Sequence, residues 1–152
     1  MQPTGVLDTA KATNPLKDLL KFGQSVWLDY IRRDLLTSGE LRKLIEQDGL
    51  AGMTSNHSIF EKAIIDGKEY ADFLAELRKD ASLDAKGIYE RLAIRDIQDA
   101  ADTLKPVYLS TNGHDGYVSL EVSPLLANET QATIEEARRL WNTVQRPNIM
   151  IK

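Results

Sequence analysis

The sequence predicts an α/β fold built on a parallel sheet. Two observations predict it. Four short runs alternate apolar and polar side chains with the period of a strand, and stretches with helical periodicity separate them. A strand, a helix and a further strand repeated in this way form βα units, which pair their strands in parallel.

Residues 1–13 are small and polar, with an early proline and glycine, and are expected to form a mobile leader. From Asn14 the pattern becomes regular. Leu16, Leu19 and Leu20 predict a helix ending near Gly23. Residues 25–29 (SVWLD) predict the first strand, followed by helix broken near Thr37. Thr37 and Glu40 have the spacing of a capping box and predict a new helix through Leu41, Leu44 and Ile45. Residues 52–56 (GMTSN) predict the second strand, and Ser58 with Glu61 predicts a second capping box.

Ile59, Ala63 and Ile64 form the apolar face of that helix, and further helix runs through Tyr70, Phe73, Leu74 and Leu77. Residues 84–108 predict another helix, interrupted near Ala93 and kinked at Pro106. Residues 111–116 (TNGHDG) are a loop by composition and lead into the third strand, 117–122 (YVSLEV). A last helix carries Ile134, Ala137, Leu140, Trp141 and Val144 on one side, and Pro147 closes it before the fourth strand, 148–152.

Composition narrows the function classes. A formal charge of -4 gives no electrostatic footprint for nucleic acid. No cysteine is present, which excludes disulfides, thiol catalysis and thiolate metal sites. The first residues hold no apolar core of a secretory signal, and no apolar run reaches membrane-spanning length. A cytoplasmic location without membrane or nucleic-acid partners is therefore expected.

Side chains two apart on a strand share a face. Val26 and Leu28, then Val118, Leu120 and Val122, then Ile149 and Ile151 mark the faces that pack under helices. The opposite face carries Ser25, Trp27 and Asp29, then Tyr117, Ser119 and Glu121, then Asn148, Met150 and Lys152, with Thr54 and Asn56 in phase on the second strand. Asp29, Thr54, Asn56, Glu121 and Lys152 thus collect at the C-terminal strand ends, where β/α barrels gather their catalytic groups. A lysine beside two carboxylates suggests amine chemistry: a neutral amine attacks a carbonyl to form a Schiff base, and the carboxylates move protons. The pattern alone leaves a second reading open, in which charged residues merely mark the exit of each strand to solvent. Trp27 and Trp141 read as packing residues, and His57 and His114 as ordinary loop histidines.

At these residues the chain resembles transaldolase, in its longer bacterial form. The resemblance rests on residues 21–29 (KFGQSVWLD), 54–62 (TSNHSIFEK), 117–124 (YVSLEVSP) and 146–152 (RPNIMIK). It implies that 14–152 is the N-terminal half of a (β/α)8 TIM barrel, since a whole barrel needs eight strands and typically about 250 residues. It also implies transfer of a dihydroxyacetone unit from sedoheptulose 7-phosphate to glyceraldehyde 3-phosphate, giving erythrose 4-phosphate and fructose 6-phosphate, with no metal or organic cofactor.

By the same resemblance, Lys152 is the Schiff-base lysine and Asp29 handles the substrate hydroxyl proton. Glu121 works through a bound water that Thr54 helps to hold, and Asn56 binds the hydroxyls of the dihydroxyacetone unit. The family usually has proline where this chain has His57, so the turn into the helix is expected to loosen. With four strands, the chain is expected to be a fragment inactive alone. The alternative is an inactive half barrel that associates, with itself or a separate second half, through its exposed strand edges.

Overall fold

A computed structural model describes residues 14–152. Residues 1–13, expected as a leader, lie outside the described residues. The strands are β1 (Val26–Asp29), β2 (Leu50–Thr54), β3 (Tyr117–Leu120) and β4 (Ile149–Ile151). They form one four-stranded sheet in the order β1-β2-β3-β4, every pair parallel, and among the described residues the sheet is open. This is the predicted α/β arrangement, consistent with part of a TIM barrel.

The chain begins with α1 (Pro15–Asp18) and a 3-10 turn, Leu19–Phe22. Asn14 caps α1 by accepting from the Leu16 N–H at 2.9 Å, with Pro15 at the first helical position. The same side chain donates to the Gln47 carbonyl and to Asp48, fastening the entry to the turn that feeds β2.

After β1 come α2 (Arg33–Thr37), α3 (Glu40–Lys43) and one π-turn, Leu44–Asp48. The capping box expected at Thr37 does not form. Thr37 is still inside α2 and its hydroxyl donates back to the Arg33 carbonyl, while Gly39, at φ +83°, makes the break. Beyond β2, α4 (His57–Asp66) already contains Ser58, so the capping box expected at Ser58 and Glu61 does not form. Asn56, not Ser58, is the cap, accepting from the Ile59 N–H at 2.9 Å.

A 3-10 turn, Lys68–Tyr70, leads into α5 (Ala71–Leu77). The long helix α6 (Ala85–Ser110) is unbroken at Ala93, because Leu92, Ala93, Ile94 and Ile97 all face buried packing there. Its cap Asp84 accepts from the Gly87 N–H. The last helix is α7 (Thr130–Val144), closed by Gln145 in the left-handed region.

The helices pack against one face of the sheet. Ile31, Met53, Phe60, Ile97, Leu104, Val118, Val144 and Ile149 fill the core between them. Each fully buried aliphatic or aromatic side chain of this size contributes about 1.5–3 kcal/mol. A second cluster, Ala63, Tyr70, Leu77 and Leu92, joins α4, α5 and the N-terminal part of α6. Of the two tryptophans, Trp141 is not a core residue, since 46% of it is exposed on α7. Asn148, placed by alternation with Met150 and Lys152, is instead buried and donates to the carbonyls of Ala101 and Gly116, pinning α6 and the start of β3 to β4. Among the described residues no helix is long and apolar enough to cross a membrane.

Trp27 lies across β2. A Cβ on its register partner Gly52 would come within 2.4 Å of the indole. Gly52→Ala is therefore expected to displace Trp27 from Asp115 and to destabilise the fold by about 1–3 kcal/mol, the usual effect of overpacking. Urea unfolding measures this; an unchanged midpoint would mean that the indole swings aside freely.

Candidate active site

The parallel register sets the strand ends level with one another. Asp29 and Thr54 are the last residues of β1 and β2 and are register partners, and the Thr54 hydroxyl donates to Asp29 Oδ1 at 2.6 Å. Immediately after β2, the buried Ser55 fastens the top of β2 to β3. Its hydroxyl donates to the Ser119 carbonyl at 2.6 Å, and its N–H donates to the Ser119 hydroxyl at 3.2 Å.

Backbone pairing continues one step beyond β3 and β4. The Lys152 N–H donates to the Leu120 carbonyl and the Val122 N–H to the Lys152 carbonyl, each at 2.9 Å. Glu121 and Lys152 consequently stand side by side, with Lys152 Nζ 3.3 Å from Glu121 Oε1. Glu121 is partly buried and Lys152 more open.

The residues singled out from the sequence thus fall into two contacting groups, Asp29 with Thr54 and Glu121 with Lys152. Asn56 lies between β2 and α4. Its Oδ1 is committed to capping, and its Nδ2 makes no hydrogen bond among the described residues. Thr54 gives its proton to Asp29, which leaves its oxygen free to accept.

Two neighbours were not legible as site residues. His57, the first residue of α4, faces Glu121 rather than an open loop: its Nδ1 is 3.1 Å from Glu121 Oε2. The turn expected to loosen for want of proline is held by this contact and by the Asn56 cap. Tyr89 of α6 stacks on the His57 ring, with centroids 5.6 Å apart and planes inclined by 22°. The sequence signal for His57 was that it stands where the family usually has proline; nothing in the spacing of α6 marked Tyr89.

Electrostatics follow from these contacts. Burial pushes the Glu121 carboxyl up, but hydrogen bonds from His57 and Lys152 outweigh it and hold the group below the usual glutamate range. The folded state therefore binds this proton less tightly than the unfolded chain. The resulting stabilisation is present above the unfolded value of about 4.3 and fades as pH falls through the lower, folded value. Burial, with the Glu121 charge adding to it, pushes the Tyr89 phenol up to about 12, so it stays protonated. On the helix side of Glu121, a cavity of about 200 Å³ lies between α6 and α7, lined by His57, Tyr89, Ile94, Leu120 and Leu140. Lys152, Asp29, Thr54 and Asn56 do not line it.

An amine beside a carboxylate, with a second carboxylate at the end of β1 on the same edge of the sheet, is an arrangement suited to carbonyl chemistry. Similarity to known proteins points the same way. The family described as Transaldolase/Fructose-6-phosphate aldolase matches residues 26–152. A transaldolase of Thiobacillus denitrificans is 51% identical over 139 residues, covering 91% of this chain and 38% of that protein. Transaldolase 2 of a Nostoc species is 49% identical over 142 residues, covering 93% of this chain and 37% of that protein. A transaldolase of Thermobifida fusca is 46% identical over 144 residues, with 91% and 38% covered. This chain spans about 38% of the length of these relatives. By the match over both βα framework and strand ends, the chain belongs to the transaldolase/fructose-6-phosphate aldolase family.

Proposed function

We propose that residues 14–152 supply the first four strands of a transaldolase barrel, and that Lys152 is its Schiff-base lysine. The polypeptide then moves a dihydroxyacetone unit from sedoheptulose 7-phosphate, or from fructose 6-phosphate in the reverse direction, to glyceraldehyde 3-phosphate or erythrose 4-phosphate. The observation that carries this reading is the 3.3 Å approach of Lys152 Nζ to Glu121 on adjacent strand ends, in a chain of this family.

The neutral Lys152 amine adds to the ketone carbon, and loss of water gives a protonated imine. Glu121 first takes the proton that frees the Lys152 amine, 3.3 Å away, and returns it, through a water that the Thr54 oxygen can accept from, to the hydroxyl that leaves. Asp29 takes the proton of the hydroxyl on the carbon beyond the scissile bond. That bond then breaks, an aldehyde departs, and the electron pair enters the imine to leave an enamine. Addition to the acceptor aldehyde reverses these steps, and water releases the product. Asn56 contributes its Nδ2 donors to the hydroxyls of the three-carbon unit. No step calls on a metal or an organic cofactor.

The test is to isolate the polypeptide from its native cell through a peptide within residues 14–140, weigh it intact, and treat it with fructose 6-phosphate and borohydride. A mass at least double the 17.0 kDa of this sequence is expected, with the reduced adduct on Lys152 and none after Lys152→Ala. An adduct on another lysine, or none, overturns the Schiff-base assignment. A second reading, an interaction module without catalysis, is favoured by the open sheet and by Met150, 42% exposed on the edge strand β4. It requires a 17.0 kDa species that runs as a complex on sizing and gives no adduct.

A further inference from the structure

Glu121 could rotate about its side-chain bonds and leave Lys152, because it stands just past the end of β3, where the ladder no longer holds it from both sides. Its orientation is fixed instead by the first residue of α4. His57 brings two donors to the same carboxylate oxygen: ring Nδ1 at 3.1 Å and the backbone N–H at 3.4 Å, both to Oε2. With Oε2 held there, Oε1 is left facing Lys152 Nζ at 3.3 Å. The imidazole is itself oriented. Its ring lies against Tyr89, and Tyr89 is set edge-on against the fully buried Phe60, with centroids 6.0 Å apart and planes at 89°.

We propose that His57 is a positioning residue that clamps Glu121 Oε2 from the start of α4, so that Oε1 stays directed at Lys152. The clamp runs from core to chemistry through four residues: Phe60 seats Tyr89, Tyr89 seats the His57 ring, His57 holds one oxygen of Glu121, and the other oxygen meets the lysine. Contact with Nδ1 assigns the ring proton to that nitrogen while the imidazole is neutral, because a carboxylate accepts and does not donate. Its catalytic meaning rests on the Schiff-base reading; the clamp itself does not.

The charged groups around His57 are Glu121 from the end of β3, with Lys152 behind it, Lys86 and Glu90 from α6, Glu136 from α7, and Glu61 one turn along α4. Among the described residues only Glu121 is paired to the ring, which makes the Glu121 carboxyl the group that reports the clamp.

Proline tests the clamp cleanly, since the first position of a helix accepts it and it lacks both donors. In His57→Pro the Glu121 carboxyl, followed by carbon-13 NMR titration of the native polypeptide, is expected to bind its proton roughly tenfold more tightly, one pKa unit. His57→Ala keeps the backbone donor and is expected to fall between, and His57→Gln, which restores a side-chain donor, is expected to lie near the parent protein. Should His57→Pro fail to fold, the alanine and glutamine variants carry the same comparison. In parallel, the pH profile of borohydride trapping at Lys152 should shift its acidic limb upward in the same order.

A Glu121 titration unmoved by both the alanine and proline substitutions overturns the clamp. So does an equal shift in all three variants, because glutamine should rescue it. If Lys152 is not trapped in the parent protein, the Schiff-base reading falls, and the NMR titration still decides the clamp by itself.

Discussion

Asp29→Asn is expected to slow turnover of the intact polypeptide by roughly 10²- to 10⁴-fold, the usual contribution of a positioned acid–base group. It should leave Lys152 able to form a trappable imine. The substitution is nearly isosteric, and asparagine Oδ1 still accepts from the Thr54 hydroxyl, now 2.6 Å from Asp29 Oδ1. What it removes is the ability, proposed for Asp29, to take a proton from the substrate hydroxyl as the carbon–carbon bond breaks. In the proposed mechanism imine formation depends on Lys152 and Glu121, and no hydrogen bond joins that pair to Asp29 among the described residues. Separating adduct yield from kcat therefore checks the division of labour. Full turnover in Asp29→Asn, or loss of adduct together with turnover, would contradict the assignment.

Asp96→Ala is expected to cost about 3–5 kcal/mol of stability, because it strips the partner from a buried charge. Native domains have only about 5–15 kcal/mol in total, so this loss is a large share. Asp96 lies in the middle of α6 and is fully shielded from solvent. The Arg33 guanidinium donates to its Oδ1 through Nε at 2.9 Å and through Nη2 at 2.7 Å, and the Tyr70 hydroxyl donates to its Oδ2 at 2.6 Å. Tyr70 also accepts from the Arg33 N–H at 3.1 Å, and the Arg33 guanidinium lies 4.5 Å above the Tyr70 ring.

This network joins the segment after β1 to α6 and the turn before α5, and so helps to set the chain that leaves Asp29. Burial and the Asp96 charge push the Tyr70 phenol well above its ordinary range, which keeps its hydroxyl a donor. Denaturant titration of the variant measures the loss. A change within about 0.5 kcal/mol, typical of a surface site, would mean that the network is not formed.

The strands and the polar groups near their ends were legible because period-two alternation is local. Val118 and Leu120 inside with Glu121 outside can be read from six residues, but the expected strand ends, 56 and 122, lie two residues late, since β2 ends at Thr54 and β3 at Leu120. Thr54 and Asp29 likewise fell in phase without any knowledge of their contact. Helix boundaries were legible less well. Thr37–Glu40 and Ser58–Glu61 both have capping-box spacing, yet in each case the helix starts elsewhere. At the first, Gly39 adopts the left-handed turn that the path of the chain requires. At the second, Asn56 comes earlier and caps first. Competition between two adequate local signals is decided by where the neighbouring strand ends.

The continuity of α6 through Ala93 has the same origin. The break expected near Ala93 does not occur, because Ala93 is buried in the core with Ile97, Ala100 and Ala101. Trp141 shows the converse. Its spacing places it with Leu140 and Val144, but in the fold nearly half of it is in solvent.

The sequence by itself determined the alternation of strands with helices, the parallel sheet and the set of polar groups carried to its C-terminal edge. These depend on periodicity and on the order of residues along one chain. Only the tertiary structure decided which of those groups touch. Asp29 meets Thr54 because β1 and β2 pair in that register, and Glu121 meets Lys152 because the ladder runs one residue beyond β3 and β4. His57, 64 positions from Glu121 in the sequence, reaches its carboxylate because Asn56 starts α4 beside the end of β3. Contacts of that separation are fixed by the closure of long loops around a shared core, and no local pattern of residues records them.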